Sequence, residues 1–108
     1  IFLLFAFVYI AISSQSELIL ENPASLIWKT AALYLVFILL HCIGYFLFPK
    51  ERRENKIALA VTSAYMNNGL AIVLASTYFG PEILVLMVLS EIPWSTLLAP
   101  FRKILRYL

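Results

Sequence analysis

Two adjacent asparagines and a glycine lie at the centre of an apolar stretch that is long enough to cross a bilayer. Asn67, Asn68 and Gly69 interrupt residues 57–80, which carry no charged side chain. Non-helical backbone is tolerated at that depth only where it is buried in protein or lines a water-filled cavity. In transporters, such an interruption frees carbonyls for cations and helix ends for anions. The pattern therefore predicts a solute site; the alternative is an intact helix whose amides bond a neighbouring helix.

Glu91 is the second residue whose chemistry differs from its surroundings. It lies in the apolar sequence "LSEIPWSTLLAP", where a membrane-inserted carboxylate costs about 2.5 kcal/mol or more. Pro93 removes a backbone donor close by. We expect Glu91 to coordinate a cation, carry a proton or pair with a basic residue; the alternative is a protonated structural side chain. Because Asn67 and Glu91 fall at similar depths on consecutive antiparallel helices, we expect them to share a site.

The other polar candidates are few. His41 is the single histidine, and it either bonds across a helix interface as part of a polar core, the simpler interpretation, or relays protons. The single Cys42 excludes an internal disulfide and cannot form a metal site alone. The sequence contains no metalloprotease, paired-cysteine, nucleophile-elbow or phosphate-loop motif, so it predicts neither an enzyme nor an organic cofactor.

The composition indicates which elements position these residues. Of the 108 residues, 63% are hydrophobic and only 13% are charged, whereas soluble domains carry about a quarter charged residues. The mean hydropathy is +0.93. The sequence therefore predicts an all-α membrane protein with the lipid bilayer as its partner. The basic residues flank apolar spans, which argues against a nucleic-acid partner.

Four transmembrane helices are expected, the third interrupted near the midplane. The apolar runs cover residues 1–13, 26–48, 57–79 and 82–101, and all but the first approach the roughly 20 residues that a span requires. Ser25 is expected to cap the second helix. Ile1 lies inside an apolar run with no methionine before it, which predicts the C-terminal part of a larger membrane protein.

The basic residues predict the orientation of these helices. Lysine and arginine concentrate at residues 50–56 and 102–106, and such clusters favour the cytoplasmic side. Two spans separate the clusters, so the chain crosses the membrane twice between them and both clusters can lie on the cytoplasmic side. The polar loop at residues 14–25 then faces outward and the C-terminus is cytoplasmic. We expect an integral protein of the plasma (inner) membrane.

The segment "TSAYMNNGLAIVLA" at residues 62–75, a Gly-Pro restart and a last helix ending in "STLLAPFRK" resemble the last two helices of the bile acid:sodium symporter superfamily. The resemblance implies a ten-helix transporter built of two inverted repeats. Each repeat would contain one broken helix, and the two broken helices would cross at the membrane midplane. Residues 1–25 would then be a truncated panel-type helix with its external loop. Residues 26–108 would be a three-helix unit of the core domain, with the interrupted helix at residues 57–80. The N-terminal half of the same transporter would be its partner.

The resemblance also implies binding residues. The family's broken helix reads Glu-x-Gly-x-Gln-Asn-Ser-Gly-Leu, and alignment on Gly69 places its asparagine on Asn67 and its serine on Asn68. The family's acidic residue and glutamine fall on Thr62 and Met66, so a sodium site here would depend on main-chain carbonyls. The candidate sodium-binding residues are Thr62, Ser63, Tyr65 and Met66.

A second branch of the superfamily, the arsenite efflux permeases, carries Glu-Val-Pro in its last helix. The sequence "SEIPW" is similar, and this resemblance would make Glu91 a family position. The predicted function is a secondary transporter that moves a small organic anion by alternating access. The sequence leaves open whether transport is coupled to a sodium ion, to a proton or to no ion. Its candidate substrate- and ion-binding residues are Asn67, Asn68, Gly69 and Glu91. The alternatives are proton-driven efflux of arsenite or another oxyanion, and a non-transporting membrane receptor or assembly subunit.

Overall fold

The computed structural model describes residues 2–107, and every regular element in that range is a helix. In chain order the helices are α1 (Phe2–Ser14), α2 (Ser16–Glu21), α3 (Pro23–Phe46), α4 (Arg53–Ala64), α5 (Asn68–Tyr78), α6 (Pro81–Thr96) and α7 (Leu98–Ile104). Residues 65–67, which we call the linker, are not helical. The predicted all-α class is confirmed.

Three stretches of the described chain are long and apolar enough to cross a membrane. They are Pro23–Phe46, Arg53–Tyr78 and Pro81–Ile104, and they correspond to the second, third and fourth predicted spans. Their presence agrees with the prediction of a membrane protein. The first predicted span is α1, which has 13 residues, fewer than the roughly 20 that a span requires. A fourth span therefore stays a prediction.

The segment before α3 differs from the sequence-based expectation. Part of the predicted outer loop is helical, because α2 occupies Ser16–Glu21. Asn22, and not Ser25, caps α3: the Asn22 side-chain oxygen accepts a hydrogen bond from the Ser25 backbone N–H at 3.1 Å. Pro23 follows at the first helical position, where its missing N–H is not needed. The prediction of Ser25 as the cap was therefore wrong.

Close backbone contact joins α3 to α4. Gly44 of α3 is buried against α4, and a Cβ atom there would lie 2.6 Å from the Leu59 carbonyl oxygen and 2.7 Å from the Ala60 Cα. Ala60 itself is fully buried. The absence of a side chain at Gly44 therefore lets the two helices approach each other, and this approach fixes the position of the end of α4.

The helices α5 and α6 form an antiparallel pair around a small apolar core. The core contains Ile72, Ala75, Leu84 and Val88, with Phe7 of α1 packed against it. A short turn at residues 79–80 joins the pair. The turn brings the start of α5 beside the middle of α6, which is the region where the polar residues lie.

The last predicted span is divided at Leu97, between α6 and α7. Pro100 has no N–H to donate to the Thr96 carbonyl, and its ring crowds that carbonyl. Regular hydrogen bonding resumes with the Phe101 N–H, which donates to the Leu97 carbonyl at 3.0 Å. Pro93, in contrast, lies inside α6 without ending it. The predicted helix to residue 101 is therefore interrupted in its hydrogen bonding at Leu97, while Pro81–Ile104 as a whole is long and apolar enough to span.

Candidate functional site

The linker separates α4 from α5 in the middle of the apolar stretch. The last backbone bond of α4 runs from the Tyr65 N–H to the Val61 carbonyl at 2.9 Å. Helix ends leave carbonyls without intrahelical partners. Within residues 2–107, no hydrogen-bond donor reaches the carbonyls of Thr62, Ser63 and Ala64. These three oxygens are therefore free to bind a cation or a polar solute.

Asn67 has a local structural role at the other side of the linker. Its side-chain oxygen accepts a hydrogen bond from the Leu70 N–H at 3.1 Å, which makes Asn67 the N-cap of α5. An N-cap is worth about 1 kcal/mol. The Asn67 side chain is otherwise exposed, so its amide NH₂ group is available to a solute.

Asn68 is buried and connects the start of α5 to α6. Its side-chain N–H donates to the Ser90 hydroxyl at 2.9 Å, and that hydroxyl donates to the Met87 carbonyl at 2.6 Å. Asn68 is 7% exposed and Ser90 is 3% exposed, so the bond lies in the interior. The adjacent Gly69 is partly buried. Sequence reasoning missed Ser90, although its position next to Glu91 was a usable signal.

Glu91 lies on α6 beside the buried Asn68–Ser90 bond. Its side chain is partly buried, and within residues 2–107 its carboxylate has neither a hydrogen-bond partner nor an ion-pair partner. Pro93 cannot donate to the Leu89 carbonyl, which leaves a second acceptor nearby on the same helix. The structure therefore brings Asn68 and Ser90 into contact at the level of Glu91, while Asn67 and Glu91 share no hydrogen bond.

The predicted sodium-binding side chains have different surroundings. The Thr62 hydroxyl donates within its own helix, to the Ala58 carbonyl at 2.9 Å. Ser63 lies against Gly44 of α3, and Met66 is 61% exposed. Among the described residues no group of three or more histidine, cysteine, aspartate and glutamate side chains could hold a metal ion. The main-chain carbonyls of Thr62, Ser63 and Ala64 stay candidate ligands for the predicted sodium ion, and the sodium site stays a prediction.

His41 contacts the linker. It is 5% exposed, and its ring lies edge-on to the Tyr65 ring with centroids 5.2 Å apart. The Tyr65 ring in turn lies edge-on to Trp94 of α6 at 5.9 Å. On the other side, His41 packs against the Phe101 ring at 4.4 Å. Trp94 was not among the predicted site residues, because nothing in the sequence indicates which face of α6 meets the linker.

Comparisons with protein families, with curated proteins and with solved structures give no match to this chain. The resemblance to the bile acid:sodium symporter superfamily therefore stays a prediction. A functional proposal has to depend on the geometry of the linker and of its neighbours on α3 and α6.

Proposed function

We propose that this chain forms part of a secondary transporter that moves a small organic anion by alternating access. The observation that carries the proposal is the non-helical linker inside the apolar stretch Arg53–Tyr78. Non-helical backbone at membrane depth is tolerated where protein buries it or where it lines a solute cavity. The linker joins the C-terminal end of α4 to the N-terminal end of α5, and these ends carry opposite partial charges.

The two helix ends suit two kinds of solute. The free carbonyls of α4 suit a cation such as sodium, and the N-terminal end of α5 with the Asn67 amide suits an anion. A cation bound at the carbonyls would offset the charge of the anion, so the two binding events would be linked. In this proposal Asn67, Asn68, Gly69 and Glu91 surround the solute site. The N-terminal half of the same transporter supplies the crossing partner in the lipid bilayer of the plasma membrane.

One observation favours proton-driven efflux of arsenite or another oxyanion as the second candidate. The Glu91 carboxylate has no partner within residues 2–107, although an unpaired carboxylate is costly inside a membrane. Taking up a proton removes that cost, and releasing the proton restores it. A side chain of this kind is suited to carry the coupling proton.

Another observation favours a non-transporting receptor or assembly subunit. The buried bond between Asn68 and Ser90 satisfies both side chains without any solute. Interhelical bonds of this kind hold membrane helices together with about 1 kcal/mol each. In that case the polar residues would lock α5 to α6, and no solute would bind at the linker.

Thermal stability of the purified protein distinguishes a solute site from helix locking. A solute that binds only the folded state stabilises it, by about 2.7 kcal/mol at 100 times its Kd. We expect the melting temperature to be higher in sodium than in choline, or to rise when acetate, lactate, succinate or arsenite is added. Asn67→Ser keeps an N-cap but removes the amide NH₂ group, and Glu91→Gln removes the charge. Either change should reduce the rise.

The control variant is Thr77→Ala, because the Thr77 hydroxyl is exposed and donates only within α5, to the Val73 carbonyl at 2.8 Å. The rise should be unchanged in this variant. A melting temperature that responds to none of these solutes, or a rise that persists in both Asn67→Ser and Glu91→Gln, would contradict the proposed site.

A further inference from the structure

A cleft that contains three basic side chains runs along one face of α7, and we call it the basic cleft. Its volume is about 610 Å³, within the range of roughly 300–1,000 Å³ that is usual for small-molecule sites. The residues that line it recur at intervals of three and four positions, so they share one helix face. They are Ser95, Leu98, Ala99, Arg102, Lys103 and Arg106.

The basic cleft lies on the side of α7 that faces away from α3. The opposite face of α7 packs toward α3, where Phe101 contacts the His41 ring with centroids 4.4 Å apart. Pro100 and Ile104 lie on that same packed side. The three basic side chains, in contrast, are exposed. A ligand from outside the described chain can therefore reach the basic cleft without displacing a packed helix.

The described chain does not neutralise the positive charge of the basic cleft. Within residues 2–107, none of the three basic side chains has a hydrogen-bond or ion-pair partner, and no acidic side chain lines the cleft. The Arg53 guanidinium donates to the Leu105 carbonyl. This contact brings the segment at 50–56, in which basic residues outnumber acidic ones, to the same end of the molecule. The basic cleft therefore favours an anion.

The wall of the basic cleft changes from apolar to basic along α7. Leu98 and Ala99 begin the helix, and Arg102 follows Leu98 by four residues, or about 6 Å. Because the candidate span Pro81–Ile104 ends here, Leu98 lies nearer to the hydrocarbon interior and the basic residues lie nearer to the membrane surface. A phospholipid has the same arrangement, with its phosphate at the surface and its acyl chains below.

We propose that the basic cleft binds an anionic phospholipid. The phosphodiester lies at Arg102, Lys103 and Arg106, and an acyl chain lies along Leu98 and Ala99. The guanidinium group is suited to this ligand, because its N–H groups pair with two phosphate oxygens at once. In phosphatidylglycerol nothing offsets the phosphate charge, whereas the choline of phosphatidylcholine does. Three unpaired cations therefore select the anionic lipid.

Native mass spectrometry of the purified protein in detergent measures this selection. Phosphatidylglycerol and phosphatidylcholine with identical acyl chains would be added in equal amounts, and the retained lipid would be counted for each. We expect retained phosphatidylglycerol to exceed phosphatidylcholine by about tenfold or more, since each cation near a lipid surface contributes about fivefold. Equal retention of the two lipids would overturn the inference.

The double variant Arg102→Gln/Arg106→Gln should reduce this preference by about tenfold or more. Its melting temperature should stay unchanged, because the side chains are exposed. Lys103→Gln alone should reduce the preference by about fivefold, and it provides the test if the double variant does not fold. A preference that persists in the double variant and in Lys103→Gln would show that the basic cleft does not hold the lipid.

The matched control is Lys50→Gln/Arg52→Gln, which removes the same charge from exposed positions at the same end of the molecule. This variant should keep the preference for phosphatidylglycerol. An equal loss in both double variants would mean that positive charge at this end attracts the lipid without a defined site, and it would overturn the inference.

A soluble competitor tests the role of the acyl chain. Glycerophosphoglycerol carries the same headgroup without acyl chains, and at equal concentration it should leave phosphatidylglycerol bound. Displacement by this compound, or by inorganic phosphate, would show that the basic cleft takes a free phosphate and not a lipid. Lipid retention is measured without any solute gradient, so its outcome is independent of the proposed transport.

Discussion

The hydrogen bond between Asn68 and Ser90 links α5 to α6 at the level of the site. Both side chains are buried and the donor–acceptor distance is 2.9 Å. In a buried pair, loss of one partner costs more than the bond itself contributes, because the remaining group stays desolvated. The start of α5 is therefore held against α6 by a bond whose loss should be measurable.

Ser90→Ala should lower the stability of the protein by about 1–3 kcal/mol, because the Asn68 amide loses its acceptor in the interior. Ser76→Ala is the matched control, since the exposed Ser76 hydroxyl donates only to the Val73 carbonyl of its own helix. Its effect should stay within about 0.5 kcal/mol. Chemical denaturation in detergent micelles measures both. Equal losses for Ser90→Ala and Ser76→Ala would show that the buried bond adds nothing.

At the scale of helices, the contact between α3 and α4 determines where the linker lies relative to His41. Gly44 permits this contact, because any Cβ there would meet backbone atoms of Leu59 and Ala60. Backbone atoms cannot move aside as a flexible side chain can. A larger residue at this position would separate the helices and displace Tyr65 from His41.

Gly44→Ala should therefore destabilise the protein by about 1–3 kcal/mol, the range observed for overpacking. Gly80→Ala serves as the control, because a Cβ atom at Gly80 has open space within 4 Å and its backbone is extended, with φ of −73°. Thermal melting in detergent compares the two variants. A Gly44→Ala protein as stable as Gly80→Ala would contradict the close α3–α4 contact.

The break between α6 and α7 also belongs to this scale. Pro100→Ala would supply the missing N–H for the Thr96 carbonyl, so the two helices should become continuous through Leu97. The new backbone amide at position 100 should then be protected from hydrogen exchange, because it donates to the Thr96 carbonyl. The new amide of Pro81→Ala, at the first position of α6, should exchange freely because it has no intrahelical acceptor there. Rapid exchange at position 100 in Pro100→Ala would show that the proline does not cause the break.

At the scale of the whole molecule, the two basic clusters lie at one end. The Arg53 guanidinium of α4 donates to the Leu105 carbonyl after α7, which joins the segment at 50–56 to the segment at 102–106. The predicted topology requires both clusters on one side of the membrane, and this contact is compatible with it. At most 28% of the residues in the most apolar part of each candidate span are buried. Lipid or further protein can therefore cover the remaining apolar surface.

The sequence predicted what depends on local pattern. The apolar runs indicated the three long stretches, and the residues around Asn67 were singled out before any geometry. Pro100 could have predicted the break at Leu97 by the same local reasoning. The contacts of Ser90 with Asn68 and of Trp94 with Tyr65 were harder to predict. They depend on how α6 is rotated against α5 and the linker. Helix rotation is set by packing over the whole unit, which spacing along one chain does not specify.

Solute transport by the reconstituted protein tests the central claim most directly. Proteoliposomes would be supplied with radiolabelled acetate, lactate, succinate and arsenite under an imposed sodium or proton gradient. We predict accumulation of at least one solute above protein-free vesicles, lost in Glu91→Gln and retained in Glu82→Gln, whose parent carboxylate is exposed at the start of α6. Accumulation of none of the solutes under either gradient, or uptake that Glu91→Gln leaves unchanged, would contradict a transport site formed by the linker and Glu91.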